Sequence, residues 1–164
     1  MSEVAELMRI ANAGRALLKS RNIDQWQSEN YPSKSIFEDD INAGISYVMT
    51  DGEHIAGICA LTCADEPAYS VIDGAWLTSE GTRYAVAHRG ALAPEYQGQG
   101  LTRTWFELIA EEARKLGAIS LRIDTHEENN AMRRSFTGAG FKECGIVRLS
   151  GADAGTRVAY EMLL

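Results

Sequence analysis

Cysteine is scarce in this sequence, and long apolar runs are absent from it. The 164 residues include three cysteines, Cys59, Cys63 and Cys144, which form neither a C-x-x-C pair nor a cluster with histidine. We therefore expect no metal site, and we interpret Cys59 and Cys63 as small core residues. No apolar run approaches the roughly 18 residues that a membrane span requires, so we expect no membrane partner.

Positive charge is also sparse, because 16 lysines and arginines stand against 23 acidic residues and the net charge is −7. This balance argues against nucleic acid as a partner, since phosphate contacts need clustered basic side chains. An acidic surface weakly favours a cationic substrate such as an amine, although it often only keeps a protein soluble. The N-terminus lacks the basic start and apolar segment of a signal peptide, and we therefore expect a cytoplasmic location.

The first half of the chain shows two helical patterns followed by a hairpin. Helical periodicity predicts a first helix that Ser2 caps and that ends near Ser20, and then a short helix that ends at Gly44. Two strand-like runs flank Asp51-Gly52, which is typical of a tight hairpin turn. The long connection over residues 64–81 is predicted to be irregular.

The second half alternates strands with helices. A strand over residues 83–93 precedes a glycine-rich turn and a long helix that Gly117 ends, and a strand over 118–125, a helix over 128–140 and a final hairpin follow. This order predicts one domain, residues 1–164, with a mixed α/β sheet covered by helices. The chain begins directly in a helix, without a first strand. Either the chain is truncated or its start is misplaced, or the sheet has an open edge that a second subunit could cover in a homodimer.

The glycine-rich turn, QGQGL at residues 97–101, stands directly before the long helix. It is not a Walker A loop, because Leu101 stands where lysine is required, and Arg103 stands where a dinucleotide-binding fingerprint needs its third glycine. Glycine permits unusual φ angles, and the free amides of the following helix can bind a pyrophosphate. These residues alone support a phosphate site and an ordinary strand-to-helix turn about equally.

Two segments together resemble one superfamily. The turn after ALAPEY resembles the acyl-CoA-binding signature of the GNAT N-acetyltransferase superfamily, Gln/Arg-x-x-Gly-x-Gly/Ala. Downstream, NNAMRRSFTGAGF resembles the superfamily's second signature, which here comprises Asn129, Ala131, Gly140 and Phe141. The element order also agrees, apart from the absent first strand. The resemblance implies a mixed α+β sheet with splayed central strands and helices on both faces.

The resemblance also implies that the cofactor is acetyl-CoA. Its pantetheine arm would lie between the strand that ends at Leu92 and the strand that ends at Thr125, and its pyrophosphate would bind the amides of residues 97–102. Asn129 would hydrogen-bond the pantetheine arm or a phosphate. The implied cofactor-binding residues are Leu92, Gln97, Gly98, Gln99, Gly100, Leu101, Thr102 and Asn129.

Two residues depart from the superfamily pattern. Thr102 stands where glycine or alanine is preferred, although its hydroxyl can still donate to a phosphate. Phe136 stands where many members carry a tyrosine that protonates the departing thiolate, and phenylalanine cannot donate a proton. Catalysis would then need another donor or water, or this chain is a poor catalyst.

Attack on a thioester needs a neutral amine, so a general base that titrates near neutrality is expected, which singles out histidine. His88 lies on the strand before the glycine turn, and His126 follows Asp124 at the end of the next strand. Each of these histidines is a candidate base and also fits a structural role. Asp124 could pair with Arg122, orient a histidine or bind the substrate amine.

Trp26, Tyr31 and Tyr84 lie in or beside long loops, over which superfamily substrates usually enter. We interpret them as an acceptor pocket in which aromatic rings contact a cation. The leading hypothesis is an acetyl-CoA-dependent N-acetyltransferase that acts on a small amine or a peptide amino group by direct attack in a ternary complex. The alternative, motivated by Phe136, is a CoA-binding sensor or interaction module without catalysis.

Overall fold

The computed structural model describes residues 3–28 and 31–164, and this part contains four helices and seven strands. In chain order they are α1 (Glu3–Ser20), α2 (Lys34–Asn42), β1 (Ser46–Asp51), β2 (His54–Thr62), β3 (Asp73–Gly74), β4 (Tyr84–Leu92), α3 (Thr102–Lys115), β5 (Ser120–Thr125), α4 (Asn130–Ala139), β6 (Lys142–Leu149) and β7 (Gly155–Leu163). Apart from β3, this is the order that the sequence predicts. The predicted helix cap, Ser2, lies outside the described residues.

The connection between β2 and β4 contains regular structure, contrary to the prediction. A 3₁₀ turn spans Pro67–Tyr69, and β3 pairs with β6. Gly74 of β3 and Gly145 of β6 lie opposite each other with φ of +142° and +141°, and a Cβ on Gly74 would clash with the carbonyl oxygen of Cys144. Glycine permits this close approach, whereas a two-residue strand has no periodicity that a sequence could reveal.

The strands form one sheet in the order β1-β2-β4-β5-β7-β6-β3. Only β4 and β5 are parallel neighbours among the described strands, and the other adjacent pairs are antiparallel. Within the described ranges no strand precedes β1, which therefore forms one edge of the sheet. α3 and α4 pack on one face and α1 and α2 on the other, which confirms the predicted fold class.

Each face of the sheet carries its own apolar cluster. Phe106 of α3 and Phe136 of α4 pack on one face, whereas Leu7 of α1 packs on the opposite face. Ile58 belongs to one cluster and its neighbour Cys59 to the other, because successive strand residues point to opposite faces. β2 is therefore buried on both sides. None of the helices in the described ranges combines the length and the apolar character needed to cross a membrane.

The central strands β4 and β5 pair over only part of their length. Their pairing ends at Val86 and Arg122, beyond which the two strands diverge. β4 contains a bulge in the region where the strands diverge. At this bulge two residues of β4, Arg89 and Gly90, lie opposite one residue of β2, Cys59. A bulge of this kind bends the strand and increases its twist. The splayed central strands of the prediction are thus confirmed, and the gap opens toward the ends of both strands.

Arg89, in the bulge of β4, has an unusual backbone conformation. Its φ is +55°, in the left-handed region that costs a residue with a side chain on the order of 1–2 kcal/mol. The Arg89 guanidinium donates to both carboxylate oxygens of Asp40 on α2, with Nη2 2.7 Å from Oδ1 and Nε 3.0 Å from Oδ2. A two-pronged ion pair fixes the side chain and helps to offset the backbone strain.

Arg122 does not pair with Asp124, a pairing considered from the sequence, because β7 offers a closer carboxylate. Glu161 lies directly opposite Arg122 in the β5–β7 register, and the Nε of Arg122 donates to its Oε1 at 3.0 Å. The guanidinium also lies between the rings of Trp76 and Tyr84, 4.0 and 3.8 Å from their centroids. This buried cluster fastens the β2–β4 connection to the sheet.

Candidate active site

A cavity of about 310 Å³ lies in the gap between β4 and β5, and it extends from the glycine turn to the loop between α1 and α2. Most of the predicted site residues line it, namely Trp26, Tyr31, His88, Leu92, Gln97, Gly98, Thr102, Asp124 and Asn129. The remaining predicted residues are outside the described lining of the cavity, namely Tyr84, Gln99, Gly100, Leu101 and His126. The splayed strands thus bring together residues that are far apart in the sequence.

The glycine turn depends on the backbone freedom of glycine. Gly98 and Gly100 both have φ of +75°. A Cβ at either position would meet nothing within 4 Å, so glycine is needed for its conformation rather than for space. Leu101, which precedes α3, provides no side-chain hydrogen bond to the start of the helix. The first amides of α3 are therefore suited to an anion.

Gln97 links the turn to the end of β4. Its side-chain Nε2 donates to the carbonyl oxygen of Leu92 at 3.0 Å. The carbonyl oxygen of Leu92, a residue that the resemblance assigns to the cofactor, therefore has an internal partner, although a carbonyl oxygen can accept a second hydrogen bond. The side-chain amide of Gln97 is thus engaged within the turn, and its backbone N–H donates to the carbonyl oxygen of Pro94 at 3.3 Å.

Asn129 caps α4 at the wall of the cavity. It is buried, its Oδ1 accepts from the backbone N–H of Met132 at 3.3 Å, and its Nδ2 donates to the Oγ1 of Thr125 at 3.1 Å. The Oε1 of Gln25 also accepts from Thr125 Oγ1, at 3.1 Å. Gln25 lines the cavity but was not predicted, because nothing in its loop sequence marks it as part of a site.

His126 belongs to the turn that leads from β5 into α4. Its ring Nδ1 accepts from the backbone N–H of Glu128 at 3.2 Å, and its backbone N–H donates to Gln25 Oε1 at 3.3 Å. These contacts are those of a turn residue. The structure therefore brings His88, but not His126, to the cavity.

His88 contacts a carboxylate that sequence reasoning missed. Its Nε2 lies 3.1 Å from the Oε2 of Glu66, which belongs to the β2–β4 connection. The contact with His88 lowers the pKa of Glu66, which outweighs the opposing effect of burial. Glu66 follows no recognisable pattern and lies 22 positions before His88, so only the folded connection shows their proximity.

Asp124 is a buried carboxyl group at the cavity. The hydroxyl of Tyr69 donates to its Oδ2 at 2.7 Å, and its Oδ1 lies 4.0 Å from the Nε of Arg157. Burial raises the pKa of Asp124, although the hydrogen bond from Tyr69 opposes the shift. A carboxyl group of this kind, with one oxygen held by a hydroxyl, is suited to bind an amine at the other oxygen.

The three predicted acceptor-pocket aromatics have different positions. Trp26 is buried at the cavity, and its backbone N–H donates to the Oδ1 of Asp153 at 3.0 Å. Tyr31 also lines the cavity, and burial raises the pKa of its hydroxyl. Tyr84 instead packs against Arg122, and its hydroxyl oxygen accepts from the N–H of Glu66 at 3.4 Å.

Phe136 closes the cavity wall with an apolar ring. It is 1% exposed and packs edge-on against Phe106 and Tyr160, with ring centroids 5.3 and 5.1 Å apart. The ring stabilises the core between α3 and α4. Phe136 therefore contributes to core packing and has no group that could donate a proton.

Comparison with known proteins gives a consistent result. The sequence profile described as "Acetyltransferase (GNAT) family" matches residues 11–141. An acetyltransferase of the GNAT family from Streptococcus agalactiae has a similar structure, with a TM-score of 0.89 and 30% sequence identity over 99% of this chain and 90% of that chain. The search of curated protein sequences gave no match.

More distant structures share the fold. The ribosomal-protein-S18-alanine N-acetyltransferase from Escherichia coli has a TM-score of 0.56 and 20% identity over 80% of this chain and 76% of that chain. The yncA protein from Salmonella typhimurium, solved with its cofactor acetyl-CoA, has a TM-score of 0.53 and 18% identity over 80% of this chain and 71% of that chain.

Proposed function

The chain belongs to the acetyltransferase (GNAT) family, and on this premise we propose that it is an acetyl-CoA-dependent N-acetyltransferase. The observation that carries the proposal is the cavity between the splayed strands, which joins the glycine turn to His88 and Asp124. A donor and an acceptor could thus meet in one ternary complex. The acceptor would be a small amine or a peptide amino group.

The residues of the gap suit the chemistry of acetyl-CoA. Gly98 and Gly100 give the turn its left-handed backbone conformation, and the free amides at the start of α3 would bind the pyrophosphate. Pantetheine would lie between β4 and β5, in place of the pairing that ends at Val86. Acetyl-CoA supplies an activated acetyl group. The solved yncA structure, which contains acetyl-CoA, supports this choice of donor.

His88 would act as the general base. It lines the cavity, and an imidazole titrates near neutrality, so it can take a proton from an alkylammonium group. The resulting amine attacks the thioester carbonyl carbon, the C–S bond breaks, and the acetyl group ends on nitrogen. Backbone N–H groups near Leu92 would polarise the carbonyl.

Asp124, Trp26 and Tyr31 would receive the acceptor. Asp124 would bind the amine, because its Oδ2 is held by a hydroxyl and its Oδ1 has no closer cationic partner than Arg157 at 4.0 Å among the described residues. The rings of Trp26 and Tyr31 would contact the cation or its carbon chain. The acceptor of the Escherichia coli enzyme is a protein alanine, which supports the peptide amino group as one acceptor class.

A second candidate function rests on Phe136. Because this ring cannot protonate a thiolate, another group, such as protonated His88, or water would have to do so in an active enzyme. A chain that has lost catalysis would instead act as an acyl-CoA-binding sensor or interaction module. Its partner could be a second copy of the chain, which would pair with the open β1 edge of the sheet to form a homodimer.

Two linked measurements test the proposal. Thermal unfolding should shift upward with acetyl-CoA and not with NAD or ATP, since a ligand that binds the folded state raises its stability. Release of CoA should then be assayed over a panel of amines and peptides. An upward shift without CoA release would favour the sensor, and no shift with acetyl-CoA would refute both functions.

Aspartate at Gly98 should weaken acetyl-CoA binding about tenfold or more, because like charges about 4 Å apart repel by on the order of 1–4 kcal/mol. Asparagine at the same position is the matched control. Both residues tolerate the left-handed backbone, and a Cβ there meets nothing within 4 Å. Calorimetric titration with acetyl-CoA measures the effect. Equal affinities of Gly98→Asp and Gly98→Asn would show that no phosphate lies beside Gly98.

A further inference from the structure

Glu66 reaches His88 from a part of the chain that supplies no other proposed catalytic residue. The Oε2 of Glu66 lies 3.1 Å from the Nε2 of His88, within hydrogen-bonding distance, and the two side chains are 24% and 23% exposed. No hydrogen bond to the other ring nitrogen, Nδ1, is made by the residues in the ranges 3–28 and 31–164. The Glu66 carboxylate is thus close enough to accept a proton from Nε2, and Nδ1 has no such partner among the described residues.

Contacts other than the one with His88 hold Glu66 in place. Its N–H donates to the hydroxyl oxygen of Tyr84 at 3.4 Å, and its Oε1 accepts from the N–H of Ala68 at 3.4 Å, which caps the 3₁₀ turn. Tyr69 in the same turn donates to Asp124. The carboxylate is thus presented to the imidazole by a turn that is fastened to both β4 and β5.

We propose that Glu66 is a positioning residue that accepts the Nε2 proton of His88, so that Nδ1 is the nitrogen that takes the proton from the acceptor amine. The inference rests on the proposed function of His88 as the base. A neutral imidazole carries one N–H and one lone pair, and the hydrogen bond made by one nitrogen decides the state of the other. A carboxylate at Nε2 therefore leaves the lone pair on Nδ1.

Two carboxyl groups lie near His88, and their properties distinguish them. The contact with His88 lowers the pKa of Glu66, so Glu66 is ionised at neutral pH and can only accept. Burial raises the pKa of Asp124, and its Oδ2 already accepts from Tyr69. Glu66 is therefore the partner that sets the tautomer, and Asp124 is left for the acceptor.

The proton balance requires a base that becomes cationic and then returns its proton. Nδ1 takes one proton from the ammonium group, and the resulting imidazolium is stabilised by the Glu66 carboxylate. The amine nitrogen then bonds to the acetyl carbon, the C–S bond breaks, and the thiolate leaves with its electron pair. The amide nitrogen releases a second proton to water, and the imidazolium returns the first proton to the thiolate. The products are an acetylated amine, a thiol and one proton in solution, and His88 is neutral again.

The tautomer of His88 tests the inference without any ligand. The full chain, labelled with ¹⁵N-histidine, is studied by long-range ¹H–¹⁵N spectra at a pH where His88 is neutral, and single histidine variants assign the signals. We expect the Nε2–H tautomer in the unaltered protein. The Nδ1–H tautomer, or an even mixture of the two, would overturn the inference.

Glu66→Asp separates the contact with His88 from the turn cap. Aspartate is a good cap, so the turn is retained, but its side chain is one methylene shorter and cannot reach Nε2. Glu66→Ala removes both contacts, and Asp65→Ala removes the exposed neighbouring carboxylate as a matched control. We expect mixed tautomers in both Glu66 variants and the unaltered spectrum in Asp65→Ala.

Activity then links the tautomer to the reaction. With the best amine of the panel, kcat should fall about tenfold or more in both Glu66 variants, because a base in the wrong tautomer cannot accept the proton, while the KM for acetyl-CoA should stay unchanged. A changed tautomer with unchanged kcat would overturn the role in catalysis. If no amine is acetylated at all, the proposed function fails, whereas the spectra still decide whether Glu66 sets the tautomer.

Discussion

Replacing His88 by alanine should lower kcat/KM for acetyl transfer by about 100- to 10,000-fold, the range typical of a general acid–base residue. The imidazole lines the cavity and contacts Glu66, and no other histidine lies at the described cavity wall. Without it, the ammonium form of the acceptor would lose its proton only to water. The measurement is CoA release with the best amine, together with calorimetric titration of acetyl-CoA, whose affinity should change little.

Two other histidines provide the comparison. His54 is exposed at the start of β2, and His54→Ala should retain the activity of the unaltered protein. His126 is the second candidate base from the sequence, but its Nδ1 already accepts from the N–H of Glu128. Loss of activity in His126→Ala with full activity in His88→Ala would move the base to His126. Full activity in both variants would refute the assignment of either histidine.

The glycine turn and the cap of α4 were largely predictable because both are local in sequence. Gly98 and Gly100 lie two positions apart, and their φ angles and the helix that follows are short-range consequences of glycine. Asn129 caps α4 for the same kind of reason, since a side-chain amide before a helix accepts one of its free N–H groups. Short-range physics thus specified the turn and the helices α3 and α4, whereas the splay of β4 and β5 was expected only from the resemblance.

The acceptor side was predictable only in part because its contacts join distant segments. Glu66 meets His88 from the β2–β4 connection, and Glu161 meets Arg122 from β7 across the sheet. Tyr69, which donates to Asp124, lies 55 positions before it in the β2–β4 connection, so the sequence could not show that the two side chains would meet. The packing of Tyr84 against Arg122, instead of a position at the cavity, was also not predicted, because the two residues are distant in the sequence.

Replacing Glu161 by alanine should lower the free energy of unfolding by about 3–5 kcal/mol, the usual result when one partner of a buried ion pair is removed. Its carboxylate accepts from Arg122 at 3.0 Å, from Ser120 Oγ at 2.6 Å and from Thr78 Oγ1 at 2.7 Å. Glu161 is fully buried and Arg122 is 5% exposed, so water cannot replace these bonds. Urea denaturation followed by circular dichroism measures the change.

Glu143→Ala is the matched control, because Glu143 also pairs with an arginine, Arg133 at 3.1 Å, but is 53% exposed. An exposed pair contributes about 0–1 kcal/mol, so the two alanine variants should differ severalfold in their loss of unfolding free energy.

Burial opposes the ionisation of Glu161, but its hydrogen bonds prevail and its pKa is lowered. Its contribution is therefore present above the ordinary glutamate pKa and is lost as the pH falls through the lowered value. The stability gap between the unaltered protein and Glu161→Gln should narrow in acid, and a gap that is constant with pH would contradict a buried ionised pair.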